Sequence, residues 1–198
     1  MLSSITTFGE RGRNNRFAVT ATFFVATSIA AGAATGAIFG ALGGVIVPDE
    51  PVLIGAVLAA SALAGALLDS HLAGLRVPTI TRQVDERWLH KYRGWVYGVG
   101  FGAQLGTGLA TIVSSAAVYL MLIAALLSRS VVIGLVIGLV FGAVRGLSLL
   151  LASRIETADA LRQFHRRLAA NARRSVHAGV AAQGASTVVA LVATRSVR

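Results

Sequence analysis

The sequence predicts an all-α protein, a polytopic bundle of about five transmembrane helices, or six, formed by residues 1–198 as a single integral membrane domain. Composition is the first reason. The chain is 55% hydrophobic and only 13% charged, against about 25% charged residues in a soluble domain. Glycine spacing is the second reason. Three apolar segments carry glycine at every fourth position, which we call the glycine ladders: Gly32, Gly36, Gly40 and Gly44; Gly94, Gly98, Gly102 and Gly106; Gly134, Gly138, Gly142 and Gly146.

The glycine ladders predict helix-packing surfaces inside a membrane. Residues four apart lie on one face of a helix. Glycine in a water-exposed helix costs about 1 kcal/mol relative to alanine. In lipid, small faces instead let helix backbones approach and pack, because no hydrophobic effect drives the association there.

Five apolar segments follow one another along the chain, and a span needs about 20 residues. They are residues 17–47, 51–75, 95–127, 130–152 and 175–193. The first and third exceed that length, so we expect them to tilt, bend or protrude. The fifth is the weakest, because it contains His177 and Gln183.

Basic residues concentrate on one side of this topology. If the N-terminus is inside, the basic residues that flank the spans on the outer side are only Arg129, Arg195 and Arg198. The inner side holds Arg11, Arg13, Arg16, Arg76, Arg82, Arg87, Lys91, Arg93, Arg154, Arg162, Arg166, Arg167, Arg173 and Arg174. This bias predicts a plasma-membrane protein with a cytoplasmic N-terminus. The net charge of +10 then comes mainly from these basic segments. We expect them to contact anionic lipid head groups rather than nucleic acid.

The chain also looks duplicated with a period of about 79 residues. Segment 52–57 aligns with 131–136, and Ala103-Gln104 aligns with Ala182-Gln183. We therefore expect repeat units at 17–94 and 95–174, followed by a last span at 175–193. Duplicated halves are a common construction in transporters.

Each repeat unit ends in a predicted basic amphipathic helix. The apolar faces are Ile80, Val84, Trp88 and Tyr92 in the first, and Leu161, Phe164 and Leu168 in the second. Two alternatives stay open for both helices. They lie on the inner leaflet with the apolar face down, or they pack against the bundle.

Polar side chains inside apolar segments are the functional candidates, because they are costly there. The candidates for a substrate or ion path are Gln104, Thr107, Thr111, Thr35, Asp69, His71, Arg145 and Gln183. Asp69 and Arg145 fall at similar predicted depths, since each follows the start of its span by 15 to 18 residues. Their pairing predicts either an ion or proton site, with His71 titrating nearby, or a structural salt bridge.

Gln104 lies in the glycine-rich stretch 100–108, where more than one helix face is bare backbone. Such a stretch predicts a bent or locally unwound helix lining a cavity. Gln104 would then offer its amide to a substrate. The alternative is a packed glutamine that hydrogen-bonds to a neighbouring helix.

Several chemistries are excluded or unsupported. The chain has no cysteine, so it forms no disulfide, thiolate nucleophile or cysteine-ligated metal site. The four histidines lack metal-ligand spacing. Asp69, Ser70 and His71 are consecutive, so on a helix they point in different directions and do not form a hydrolytic triad. We expect no enzyme, no metal and no cofactor.

Residues 92–113, from Tyr92-Arg93-Gly94 to Ile112-Val113, resemble the start of the second repeat in the DsbD/CcdA family of membrane electron carriers, which is related to the LysE-type exporters. The resemblance extends in outline over 20–190. It implies two halves, each with a glycine-rich bent first helix, and a substrate path between them. Those carriers hold an essential cysteine in the first helix of each half. The corresponding stretches around Thr35 and Thr111 hold none, so the resemblance implies a cysteine-free relative.

The sequence thus predicts a small-solute or ion transporter with a site near Gln104, Thr107 and Thr111, coupled to Asp69 and Arg145. An alternative is a non-catalytic scaffold or accessory subunit of a larger redox or cytochrome-biogenesis complex. It would hold a membrane-protein partner or a second copy of the chain. A third hypothesis is a redox relay in which external quinone or haem replaces the thiols, with His71 and His177 as the haem-ligand candidates.

Overall fold

A computed structural model describes residues 5–70, 88–108 and 115–195. The regular elements in these ranges are helical. They are α1 (Thr7–Gly12), α2 (Phe17–Ile46), α3 (Pro51–Asp69), α4 (Trp88–Lys91), α5 (Gly94–Thr107), α6 (Ala117–Leu127), α7 (Val131–Leu147), a 3-10 helix (Ser148–Ala152) and α8 (Ala158–Arg195).

Three of the described helical segments are long and apolar enough to cross a membrane: Phe17–Ile46, Pro51–Asp69 and Val131–Ala152. Their surface agrees with a lipid environment. Along α7, Val132, Val136, Val140 and Val144 recur at every fourth position and are all exposed, Val132 by 70%. The glycines of α7 are buried on another face. This helix has large apolar groups outside and small groups inside, an arrangement suited to contact with lipid.

Local residues explain where these helices begin and end. Thr6 caps α1, since its Oγ1 accepts a hydrogen bond from the backbone N–H of Gly9 over 3.0 Å. Pro51 begins α3, where its missing N–H costs nothing. Gly108 ends α5 with a φ of 72°, a left-handed conformation that glycine adopts without strain.

The helix boundaries differ from the predicted spans in two places. The segment 95–127 is not one helix, because α5 ends at Thr107 and α6 begins at Ala117. The expected interruption therefore falls after Gln104, at Gly108. The second amphipathic segment and the predicted fifth span are one continuous helix, α8. Most of the first amphipathic segment lies outside the described residues, and the duplication stays a prediction.

The chain divides into two compact units, and unit 1 comprises Met1–Thr35, Ile80–Ile112 and Gly138–Asn171. Its described core consists of Ile5, Ala21, Phe24, Leu89, Tyr97, Phe101 and Leu149. Glycines allow close backbone contact here. A Cβ on Gly102 would meet the carbonyl oxygen of Phe24, and one on Gly142 would meet that of Ser28. Two of the ladders thus pack directly against the α2 backbone.

Unit 2 comprises Gly36–Thr79, Val113–Ile137 and Ala172–Arg198. In it α3 contacts α6. The buried positions of α3 include Ala59, Ala62 and Ala66, small residues at helical spacing. A Cβ on Gly134 would meet the carbonyl oxygen of Gly36. Arg129 pairs with Asp49, which joins the turn before α7 to the turn after α2.

Candidate functional site

The side chain of Asp69 is the centre of a buried polar cluster in unit 2. It lies at the end of α3 and is 7% exposed. Its Oδ2 accepts hydrogen bonds from Oγ of Ser115, at 2.7 Å, and from Nε2 of Gln183, at 2.8 Å. Its Oδ1 accepts one from the backbone N–H of Ala116, at 2.8 Å. We call these four residues the Asp69 cluster.

The start of α6 forms one wall of the Asp69 cluster. The hydroxyl of Ser115 donates to Asp69 and accepts from the backbone N–H of Ala117 over 3.2 Å. The first N–H groups of a helix have no partner within the helix and carry partial positive charge. The carboxylate therefore caps α6 from another helix, which stabilises its negative charge.

Gly65, one turn before Asp69, makes room for the glutamine. A Cβ at this position would lie 3.0 Å from Oε1 of Gln183 and 3.3 Å from Cβ of Ala116. Both distances are shorter than ordinary van der Waals contact. The absent side chain thus lets Gln183, itself only 3% exposed, reach the carboxylate.

Neutral donors satisfy this carboxylate. Within residues 5–70, 88–108 and 115–195, no basic side chain forms an ion pair with Asp69. Acidic side chains buried in apolar helices are characteristic of proton relays and ion paths in membrane proteins. The described part of the chain holds no group of three or more metal-ligating acids, histidines or cysteines.

Two of the predicted candidates, Asp69 and Gln183, are thus brought together. Arg145 belongs to unit 1, where its guanidinium lies 5.3 Å from the ring centroid of Phe141. In the described part of the chain, Asp69 accepts hydrogen bonds from Ser115, Ala116 and Gln183. The pairing of Asp69 with Arg145 stays a prediction.

The remaining predicted candidates that the structure describes lie on α2 and α5. Thr107 donates its hydroxyl hydrogen to the carbonyl oxygen of Gln104 over 2.9 Å, and Gln104 is half-buried. Thr35 is buried and donates to the carbonyl oxygen of Ala31 over 2.8 Å. Both threonines therefore bond within their own helix. His71 and Thr111 lie outside the described residues.

A second buried carboxylate, Glu10, was absent from the predicted candidates. It is fully buried in unit 1. The hydroxyl of Tyr97 lies 2.6 and 2.5 Å from its two oxygens. Thr20 donates to Oε2 over 2.8 Å, and Arg13 donates to Oε1 over 2.6 Å. With Asn15, whose Nδ2 donates to the Tyr97 oxygen over 3.2 Å, these residues form the Glu10 cluster.

The Glu10 cluster is an ionised network. Burial alone would lower the pKa of Arg13, but its hydrogen bonds to Glu10 and Tyr97 and the charge of Glu10 raise that pKa overall. Arg13 is thus held in its charged form, and Glu10 is its counter-ion. A carboxylate with four donor contacts from three side chains has little capacity left for a ligand. We interpret the Glu10 cluster as an anchor for α1 rather than a binding site.

Sequence reasoning missed Glu10 because it stands among arginines before the first apolar segment, where a solvated charge is expected. Its one signal was the sequence Thr6 to Glu10, a cap followed by an acid near the start of a helix. Comparison with known proteins adds no relative: no family model matches the chain, and no curated protein or solved structure does.

Proposed function

We propose that the protein is an integral membrane transporter for a small solute or ion, coupled to protonation or cation binding at Asp69. The proposal includes a DsbD/CcdA- or LysE-like architecture without thiol chemistry, and a cytoplasmic N-terminus in the plasma membrane. The supporting observation is the Asp69 cluster, a buried carboxylate at the end of an apolar helix that accepts hydrogen bonds from three neutral donors in the part of the chain that the structure describes.

The hydrogen-bond inventory suggests how such a site would work. Ionised Asp69 accepts from Ser115, Ala116 and Gln183 at once. A protonated carboxyl has an O–H of its own to donate. A proton on Oδ2 can be donated to Gln183 once the amide turns so that its oxygen faces Asp69. Proton binding is thereby coupled to the contact between α3 and α8, which is the kind of two-state element a transporter needs.

The helix N-terminus at the site supports the same proposal. The helix N-terminus that carries Ala116 begins after the interruption that follows Gly108. Discontinuous helices whose termini face an ion or substrate are a recurrent feature of transporters. Gln104 and Thr107 belong to unit 1, and their part in a transport path rests on the sequence pattern alone.

Proton flux in proteoliposomes tests the proposal. The protein is reconstituted with a pH-sensitive dye inside, and a potassium gradient with valinomycin drives flux, with Na⁺ and K⁺ as alternative external cations. We expect flux in the wild type and at least about a tenfold loss in Asp69→Asn, since the charged form is removed. The matched control is Asp49→Asn, at an 81% exposed carboxylate, which should retain flux.

Two outcomes would contradict the transporter proposal. One is wild-type flux in a folded, monodisperse Asp69→Asn protein. The other is no flux of protons, Na⁺ or K⁺ in the wild type together with a stoichiometric protein partner in mild detergent. The second outcome would favour the membrane scaffold.

A further inference from the structure

The middle of α8 is exposed over several successive turns. Each residue from His165 to Asn171 and from Arg174 to Ala178 is exposed. Farther along the same helix Gln183 is buried. A helix that leaves several successive turns uncovered on all sides must find its stabilising contacts elsewhere.

The exposed stretch is amphipathic. Leu161, Phe164 and Leu168 recur at spacings of three and four, and Val176 follows two further turns along the same face. Leu168 and Val176 are exposed by 46% and 37%. Leu161 and Phe164 are half-buried, so the uncovered part of the apolar face in the described chain is that of Leu168 and Val176.

The opposite face is strongly basic. It carries Arg162, Arg166, Arg167 and Arg174. Arg162 forms a surface ion pair with Asp159 at 3.2 Å. In the described ranges no carboxylate pairs with the other three arginines. Among the described residues, the face thus presents several positive charges without a carboxylate partner, as an anionic surface requires.

We propose that Leu161–Val176 of α8 binds the surface of a bilayer containing anionic phospholipid, with its apolar face in the lipid. A bilayer surface satisfies both faces at once. The acyl boundary covers Leu168 and Val176, and the arginines extend their aliphatic stems toward head-group phosphates. A nucleic acid would neutralise the arginines but leave the apolar face in water. This inference does not depend on the transport proposal.

The absence of cysteine makes site-specific labelling direct. The full chain is reconstituted in nanodiscs of phosphatidylcholine, either alone or mixed with phosphatidylglycerol, with one nitroxide at Leu168→Cys. The matched control is Ala170→Cys, also exposed but on the opposite face of the helix. Collision with oxygen, which enters lipid, is compared with collision with a water-soluble nickel chelate.

In discs with phosphatidylglycerol, we expect the label at Leu168→Cys to be shielded from the chelate by about threefold relative to Ala170→Cys, and open to oxygen. The combined Arg166→Gln, Arg167→Gln and Arg174→Gln variant should lose the difference between the two lipid compositions. All three positions are exposed, so this variant should keep the fold. Its elution as a monodisperse peak and its helical circular dichroism check this.

Three results would overturn the inference. The two labels could be equally accessible to the chelate in both lipids. The shielding at Leu168→Cys could be as strong in detergent without anionic lipid, which would indicate packing against protein. Shielding that appears only after a DNA duplex is added would indicate a nucleic-acid surface instead.

Discussion

Gln183 donates from Nε2 to Oδ2 of Asp69 over 2.8 Å, although 114 positions separate the two residues in the chain. The bond joins α8 to the end of α3, two helices that have no short connection in sequence. Because both side chains are buried, each compensates for the other's loss of water. The Gln183 amide thus contributes directly to the attachment of the last helix in unit 2.

Replacing Gln183 should weaken that attachment. We expect Gln183→Ala to lower the free energy of unfolding by about 1–3 kcal/mol, since Oδ2 of Asp69 loses a donor in a buried site. Thermal unfolding in detergent, followed by circular dichroism, measures the effect. The control is Gln163→Ala on an exposed position of the same helix. Equal melting temperatures for the two variants would argue against the bond being stabilising.

The Glu10 cluster should behave as a coupled pair. In a double-mutant cycle with Glu10→Gln and Tyr97→Phe, we expect a coupling energy of about 1.5–3 kcal/mol, as for hydrogen bonds to charged groups. Each single variant should also loosen the N-terminal segment, seen as faster amide exchange in α1. Tyr92→Phe, at an exposed tyrosine, serves as the control. Additive effects of the two changes would contradict the cluster.

Gly142 and Gly179 offer a matched test of the glycine contacts. A Cβ at Gly142 would meet the backbone of Ser28, which cannot turn aside, whereas one at Gly179 meets nothing within 4 Å. We expect Gly142→Ala to destabilise the fold by about 1–3 kcal/mol through overpacking. Gly179→Ala should be neutral or stabilising by up to about 1 kcal/mol through helix propensity. Melting temperatures that move in the same direction would refute this difference.

Arg129 has a φ of 51°, a left-handed conformation in the turn before α7. For a residue with a Cβ this costs about 1–2 kcal/mol, and its surface pair with Asp49 returns only about 0–1 kcal/mol. We therefore expect Arg129→Gly to raise the melting temperature slightly. Asp49→Asn isolates the ion pair, and its small loss should vanish in high salt. A marked loss of stability in Arg129→Gly would contradict the reasoning.

Sequence patterns located two of the apolar segments closely. The predicted segment 17–47 corresponds to α2 within one residue, and 130–152 covers α7 and the 3-10 helix. Length and hydropathy determine these elements locally, so one sequence suffices. The interruption between α5 and α6 was harder to locate, because any glycine from Gly98 to Gly108 could have supplied the left-handed residue.

The partners of the buried acids could not be read from the sequence. Asp69 stood out as a charge in an apolar run, but depth along a helix does not reveal which neighbouring face holds the donor. Nothing in the sequence marks Ser115 or the N–H of Ala116 as a donor to Asp69, because that role depends on where α6 begins. Glu10 was hidden for the opposite reason, because a charge among arginines normally faces water.

In unit 2, Gly134 of α7 contacts Gly36 and Gly40 of α2, and Gly40 contacts Ser130. A pattern that repeats every four residues matches itself after a slide of one repeat, about 6 Å. These contacts therefore determine the distance between the two helices. They do not determine the position of one helix along the other, because positions one repeat apart give the same glycine contacts. The short turn Ser128–Ser130 and the Arg129–Asp49 pair determine that position by tethering the start of α7. If residues were inserted in this turn, α7 could shift along α2 by one four-residue repeat and still pack glycine against glycine.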